Sequence, residues 1–246
     1  MNAFRFWTAA LFVGFTSVPA LAQQTSTANT SGAAVSESLS ALSRGAVGFS
    51  YDDRYTGVKG SPYVMRVWQP ADITLNTNVR IPSVRLKYDA LRNQLLARPD
   101  NSRPDSVMLN IASVKSFAFQ DALRPGERRV FRRFEEAPVL ADKQAFVEVL
   151  HEGQYTLLKR YGKEFRKANF KGAYSENRPY DEVLDRTQYF LRRPDGHVNE
   201  VKLSVKSFAG GAPELAAKLK SVADRAERNL KTESEFAALL AAAEKQ

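Results

Sequence analysis

Between residues 45 and 211 the apolar positions of this chain recur with a period of two. Val84, Leu86 and Tyr88 alternate with Arg85 and Lys87, the pattern of a strand with one face buried and the other in water. Before it, Tyr63, Met65 and Val67 line one face of an expected strand, with Val64 and Trp68 on the other. Gln69-Pro70-Ala71-Asp72 reads as a turn into Ile73-Thr74-Leu75, and Asn76-Thr77-Asn78 as another into Val79-Arg80-Ile81. Residues 89–93 reverse the chain into 94–98, and strand-like runs follow at 107–111, 113–119, 128–134, 146–151, 154–161, 189–193 and 198–203. Glu152-Gly153 stands where a two-residue hairpin turn would sit, with Gly153 supplying the positive φ such a turn needs. Pro194-Asp195-Gly196 marks the next reversal, and residues 180–185 read as one helical turn.

After Gly210-Gly211 the period becomes helical. Pro213 suits a first helical position, with Leu215, Leu219 and Val222 on one face. Thr232 and Glu235 have the spacing of a capping box ahead of Phe236, Leu239 and Leu240. The pattern therefore predicts an α+β fold: mostly antiparallel β-sheet, a sandwich or open barrel of about eight to eleven short strands, with two C-terminal helices. Residues 45–211 form the β-rich domain and 212–246 a helical segment packed on it.

Ser-Val-Lys-Ser-Phe-Ala occurs twice, at 113–118 and 204–209, each time after an apolar run, Arg-Pro-Asp and a second β-like run. Lys115 and Lys206 could be equivalent ligand donors. The alternation fits better the closing strand of a duplicated β-unit, 95–118 and 190–209, with Val and Phe buried.

Composition adds the compartment. Arg5, the apolar run from Phe6 to Val18 and Ala20-Leu21-Ala22 have the order of a secretory signal peptide over residues 1–22. The run is too short for a good membrane span. Residues 23–44, rich in Ser, Thr and Ala, read as a flexible linker with a short helix over 34–43. Gln23 stands where a lipoprotein needs cysteine, and the chain has no Cys. This excludes acylation at that position, disulfides and thiol chemistry, and predicts a soluble exported protein of the periplasm or cell exterior. The formal charge is +9, of which Arg5 leaves with the signal. Such a balance attracts anionic glycan or lipid headgroups, or another envelope protein, and export removes nucleic acid from the partners.

Several residues elsewhere resemble, in layout, exported proteins of unknown function common in Bacteroidota. They are Lys87-Tyr88-Asp89 with Asn93 and Leu95, Leu157-Leu158-Lys159 after the Gly153 turn, Tyr189-Phe190-Leu191 before Pro-Asp-Gly, and the terminal helices after a Lys-Ser strand. The resemblance implies export and a β-rich fold, and brings no catalytic residue with it.

Catalytic signatures are absent from the sequence. His151 and His197 are the only histidines, without metalloprotease spacing, and no Gly-x-Ser-x-Gly, P-loop or GxGxxG occurs. No metal or cofactor is expected. Asp181, Glu182 and Asp185 lie near Tyr180 and Tyr189, a carboxylate–aromatic grouping that reads mainly as a solvated helix start. The binding candidate is the basic-aromatic stretch carrying Lys159, Arg160, Tyr161, Lys163 and Lys167. The expected function is a non-enzymatic envelope protein that binds or scaffolds. The alternatives are a periplasmic carrier of an apolar ligand and a carboxylate-dependent hydrolase.

Overall fold

Strand alternation over residues 80–89 produces a buried inner row: Val84, Leu86 and Tyr88 are at most 2% exposed, while Arg85 faces solvent. The computed structural model describes residues 54–98, 106–120, 128–169, 178–226 and 229–245. The expected signal peptide, linker and 34–43 helix lie outside them. Eleven strands form one sheet: β1 (Lys59–Gly60), β2 (Gln69–Leu75), β3 (Arg80–Asp89), β4 (Gln94–Arg98), β5 (Val107–Met108), β6 (Val114–Gln120), β7 (Arg128–Arg133), β8 (Phe146–His151), β9 (Thr156–Arg166), β10 (Glu182–Arg192) and β11 (Val198–Val201). Their order is β1-β10-β9-β8-β7-β6-β2-β3-β4-β5, with β11 also on β10. Every pairing is antiparallel except that of β1 with β10, and the sheet does not close. Helices α1 (Val205–Gly211), α2 (Ala216–Arg225) and α3 (Glu233–Glu244) follow.

The sheet is strongly curled. In a flat sheet β3 and β8, four places apart, would stand about 19 Å from each other. Instead the Tyr88 and Phe146 ring centroids are 5.8 Å apart, and the Phe146 N–H donates to the Tyr88 hydroxyl at 3.2 Å. Edge-on and stacked contacts among Tyr88, Phe117, Phe119, Phe131 and Phe146 fill the inside of the curl. A second core joins Leu157, Leu191 and Val201 of the sheet to Phe208, Leu219, Phe236 and Leu240 of the helices. Phe134, Val147, Leu158 and Phe190 form a third, smaller one on the outer face.

The capping box is present as the spacing predicts. Thr232 accepts from the Glu235 N–H, and the Glu235 carboxylate accepts from the Thr232 N–H.

Residues 63–68 are bends with one isolated bridge, Tyr63 to Asp89, rather than a strand. Four further local expectations change. Residues 69–72 are strand rather than turn, because Arg80, Arg128 and the Ser83 N–H satisfy the buried Asp72 carboxylate. Residues 182–185 extend along β9 as strand, since residue-by-residue pairing from Glu182 to Arg192 outweighs one helical turn. The β8–β9 connection spans residues 152–155, and Gly153 lacks a positive φ. A Cβ there would instead stand 2.2 Å from the Glu244 carboxylate, so Gly153 leaves room for the end of α3.

The fourth change concerns the repeated hexapeptide. Its first copy is β6, held between β2 and β7, with Phe117 opposite both Ile73 and Phe131. The second copy is α1, not a closing strand. Ser204 accepts from the Ser207 N–H at 3.2 Å and caps the helix, and the Ser207 hydroxyl accepts from the Lys202 N–H at 2.9 Å. Phe117 and Phe208 are both buried, in different cores. The same six residues take whichever structure their surroundings complete.

Candidate functional site

Register places Glu148 of β8, Lys159 of β9 and Tyr189 of β10 side by side on the inner face. Helix α3 starts above this row. Its first residue, Glu233, accepts from Lys159 at 2.7 Å and from the Tyr189 hydroxyl at 2.6 Å. Arg129, entering from β7, donates Nε to Glu148 Oε1 at 2.6 Å and Nη2 to Oε2 at 2.9 Å. The Tyr161 hydroxyl bonds the same carboxylate and receives Arg129 Nη2. Arg129 Nη1 ends on Met65 Sδ at 2.9 Å.

Burial sets the protonation of this group. It raises the Tyr161 phenol, and the Glu148 charge raises it further, so Tyr161 remains a donor at neutral pH. Tyr189 rises for the same reasons, burial first and then its bond to Glu233. The Glu148 bonds push Arg129 above its ordinary value. Both carboxylates are thus held by a cation and a phenol each, and the charges of Arg129/Glu148 and Lys159/Glu233 cancel in pairs.

Above these pairs opens a cleft of about 550 Å³ between the sheet and the start of α3. Arg129, Glu148 and Tyr189 line it with Glu233, while Leu150 and Leu203 add apolar surface. Lys231, Thr232 and Ser234 stand at its helical wall. Lys231 is exposed; its backbone N–H donates to the Glu235 carboxylate at 2.8 Å, and no carboxylate among the described residues pairs with its ammonium. The Arg128 guanidinium, by contrast, is engaged with Asp72 at 2.6 Å.

The binding residues singled out from sequence do not line this cleft and do not form one cluster. Lys159 lies beneath it, paired to Glu233, and sits 4.5 Å from the Tyr161 ring centroid. Arg160 points to the other face, to Asp142 at 2.5 Å and Gln188 at 2.8 Å. Lys163 pairs with Asp185, and Lys167 follows the end of β9, where its carbonyl accepts from Arg178. Asp181 accepts from the Ala168 N–H, and Glu182 pairs with Arg178. These carboxylates brace the β9–β10 ribbon and do not converge. His151 meets Glu244 at 3.2 Å, and His197 is in an exposed turn. No group of three or more potential metal ligands occurs among the described residues.

Arg129, Glu148 and Glu233 escaped the sequence reading. A signal was present: Glu148 interrupts the run Phe146-Val147-Glu148-Val149-Leu150, and alternation puts it on the buried face with Phe146. Comparison with protein-family models, curated proteins and solved structures finds no match for the chain. Among the described residues no helix is long and apolar enough to cross a membrane.

Proposed function

We propose that this is an exported, non-enzymatic envelope protein that binds a short acidic glycan fragment in the cleft beside α3. The carrying observation is the cleft's charge arrangement: two internally neutralised pairs plus Lys231, whose ammonium no carboxylate among the described residues neutralises. Paired carboxylates and guanidinium offer fixed hydrogen-bonding groups to hydroxyls, Tyr189 offers a ring, and Lys231 suits one acid group. Export, without a lipid anchor, rests on the N-terminal sequence pattern.

Two observations speak against the alternatives. An apolar carrier needs an empty apolar interior, whereas Phe117, Phe119, Phe131 and Phe146 fill the curl at 1% exposure or less. A two-carboxylate hydrolase needs one carboxyl free to hold a proton, whereas both Glu148 oxygens are occupied and Glu233 is committed to Lys159 and Tyr189.

The test is calorimetric titration with digalacturonate against neutral galactobiose. Digalacturonate should bind saturably, and Lys231→Ala should weaken it about fivefold while leaving galactobiose unchanged. Absence of saturable binding, or an indifferent Lys231→Ala variant, overturns the reading. Release of shortened sugar would favour the hydrolase.

A further inference from the structure

Strand β10 is paired with β9 along its whole length, residue by residue from Glu182 to Arg192. Its other edge is covered only at the ends. There β1 pairs with Glu182 and Val183, and β11 pairs with Tyr189–Arg192. Among the described residues no strand pairs with 184–188 on that side. Each covering strand stops for a local reason. Gly60, at φ 92°, turns the chain away after β1. After β11 the Ser207 hydroxyl takes the Lys202 N–H as the chain enters α1.

Parity decides which backbone groups the gap presents. The Lys59 N–H donates to the Asp181 carbonyl at 2.9 Å, and the Val183 carbonyl likewise stands against Gly60. Odd-numbered residues of β10 therefore face the edge shared with β1 and β11, and even-numbered ones face β9. Asp185 and Thr187 each turn one N–H and one C=O outward, and no described residue bonds these groups. Asp185, Arg186 and Thr187 are all exposed, with 77% of the Asp185 side chain in solvent.

We propose that this gap binds a short, uncharged, extended peptide segment as an added strand. The open stretch of five residues is about 17 Å long and bounded at both ends. The β10 edge of a second copy does not fit it, since an eleven-residue strand laid there would run into β1 and β11. Charge gives the partner no handle: Asp185 pairs with Lys163, and Arg186 pairs with Glu164 at 2.7 Å, both across the β9–β10 ribbon. Recognition then rests on the backbone, as in strand addition to other sheet edges. β-Branched residues, already biased towards the extended form, suit the segment best. The gap lies outside the lining of the cleft, and neither proposal depends on the other.

The test is amide hydrogen exchange, with NMR titration, of the whole chain and the peptide Gly-Thr-Val-Thr-Val-Thr-Gly amide. In the parent alone the Asp185 and Thr187 amides should exchange freely, while those of Leu184, Arg186 and Gln188, turned to β9, are protected. The peptide should bind saturably with Kd of about a millimolar, as befits about four backbone bonds. At saturation it should slow exchange at Asp185 and Thr187 at least about fivefold. Thr187→Pro removes an outward N–H and leaves the bonds to β9 in place, so it should weaken binding at least about fivefold. If that variant melts early, the peptide N-methylated on every Thr and Val, with no N–H left to donate there, should fail to bind the parent. Protection of Asp185 and Thr187 in the parent alone would mean that the chain itself or a second copy fills the gap, and overturns the proposal. Slowed exchange elsewhere only, equal binding of the N-methylated peptide, or no saturable binding overturns it as well.

Discussion

Arg129 grips Glu148 with two parallel bonds, Nε to Oε1 at 2.6 Å and Nη2 to Oε2 at 2.9 Å. Glu148 is only 5% exposed, so each partner depends on the other for its charge to be tolerated. Removing one leaves a buried charge uncompensated. Arg129→Met or Glu148→Gln should each cost about 3 kcal/mol in urea denaturation. The double variant should cost less than their sum, with a coupling of about 1–3 kcal/mol. Additive losses would mean that the pair does not act as a unit.

The repeated hexapeptide makes a second prediction. Ser204 caps α1, whereas the Ser113 side chain makes no hydrogen bond among the described residues. Ser204→Ala should therefore lower stability by about 1 kcal/mol. Ser113→Ala should stay within about 0.5 kcal/mol of the parent. Equal effects would show that Ser204 does not act as a cap.

Asp72 governs part of the acid response. Burial alone would raise its carboxyl, but the bonds from Arg80 and the Ser83 N–H, with the Arg80 and Arg128 charges, together hold it below its ordinary value. A carboxyl whose folded pKa is depressed contributes stability above its unfolded value, about 3.9, and loses it as pH falls through the folded value. Urea midpoints of the parent should fall below about pH 4, and Asp72→Asn should flatten that fall. An unchanged slope in Asp72→Asn would assign the acid response to other carboxylates, such as Glu136, which Arg132 likewise holds low against its burial.

Gly162 marks the point of closest approach in the β9–β10 ribbon. It pairs with Arg186, and a Cβ would stand 2.3 Å from the Arg186 carbonyl oxygen. Backbone cannot move aside as a side-chain tip can, so Gly162→Ala should cost about 1–3 kcal/mol. Amides near Arg186 should lose hydrogen-exchange protection before those of β6, since the strain is local. Uniform loss across the sheet would contradict this.

Much of the fold was readable where a local cause suffices. Alternation over Val84, Leu86 and Tyr88 requires one wet and one dry face, and Thr232 with Glu235 closes a cap from residues three apart. Gly196 likewise supplies its turn with φ 87°. The site was far less legible. Glu148 and Glu233 are 85 positions apart in the chain, and only the curl of the sheet and the docking of α3 bring them to one cleft. Lys159 and Lys163 looked like free cations because their partners, Glu233 and Asp185, arrive from distant strands and helices.

By itself the sequence determined a cysteine-free, basic, β-rich chain with terminal helices, because composition and residue period act locally. Tertiary structure alone decided that one Ser-Val-Lys-Ser-Phe-Ala is a strand between β2 and β7 and the other a capped helix on β11. It also decided which cations are neutralised and which stack on aromatic rings. An amphipathic hexapeptide has no strong preference of its own, so the hydrogen-bonding edge beside it, or the lack of one, makes the choice.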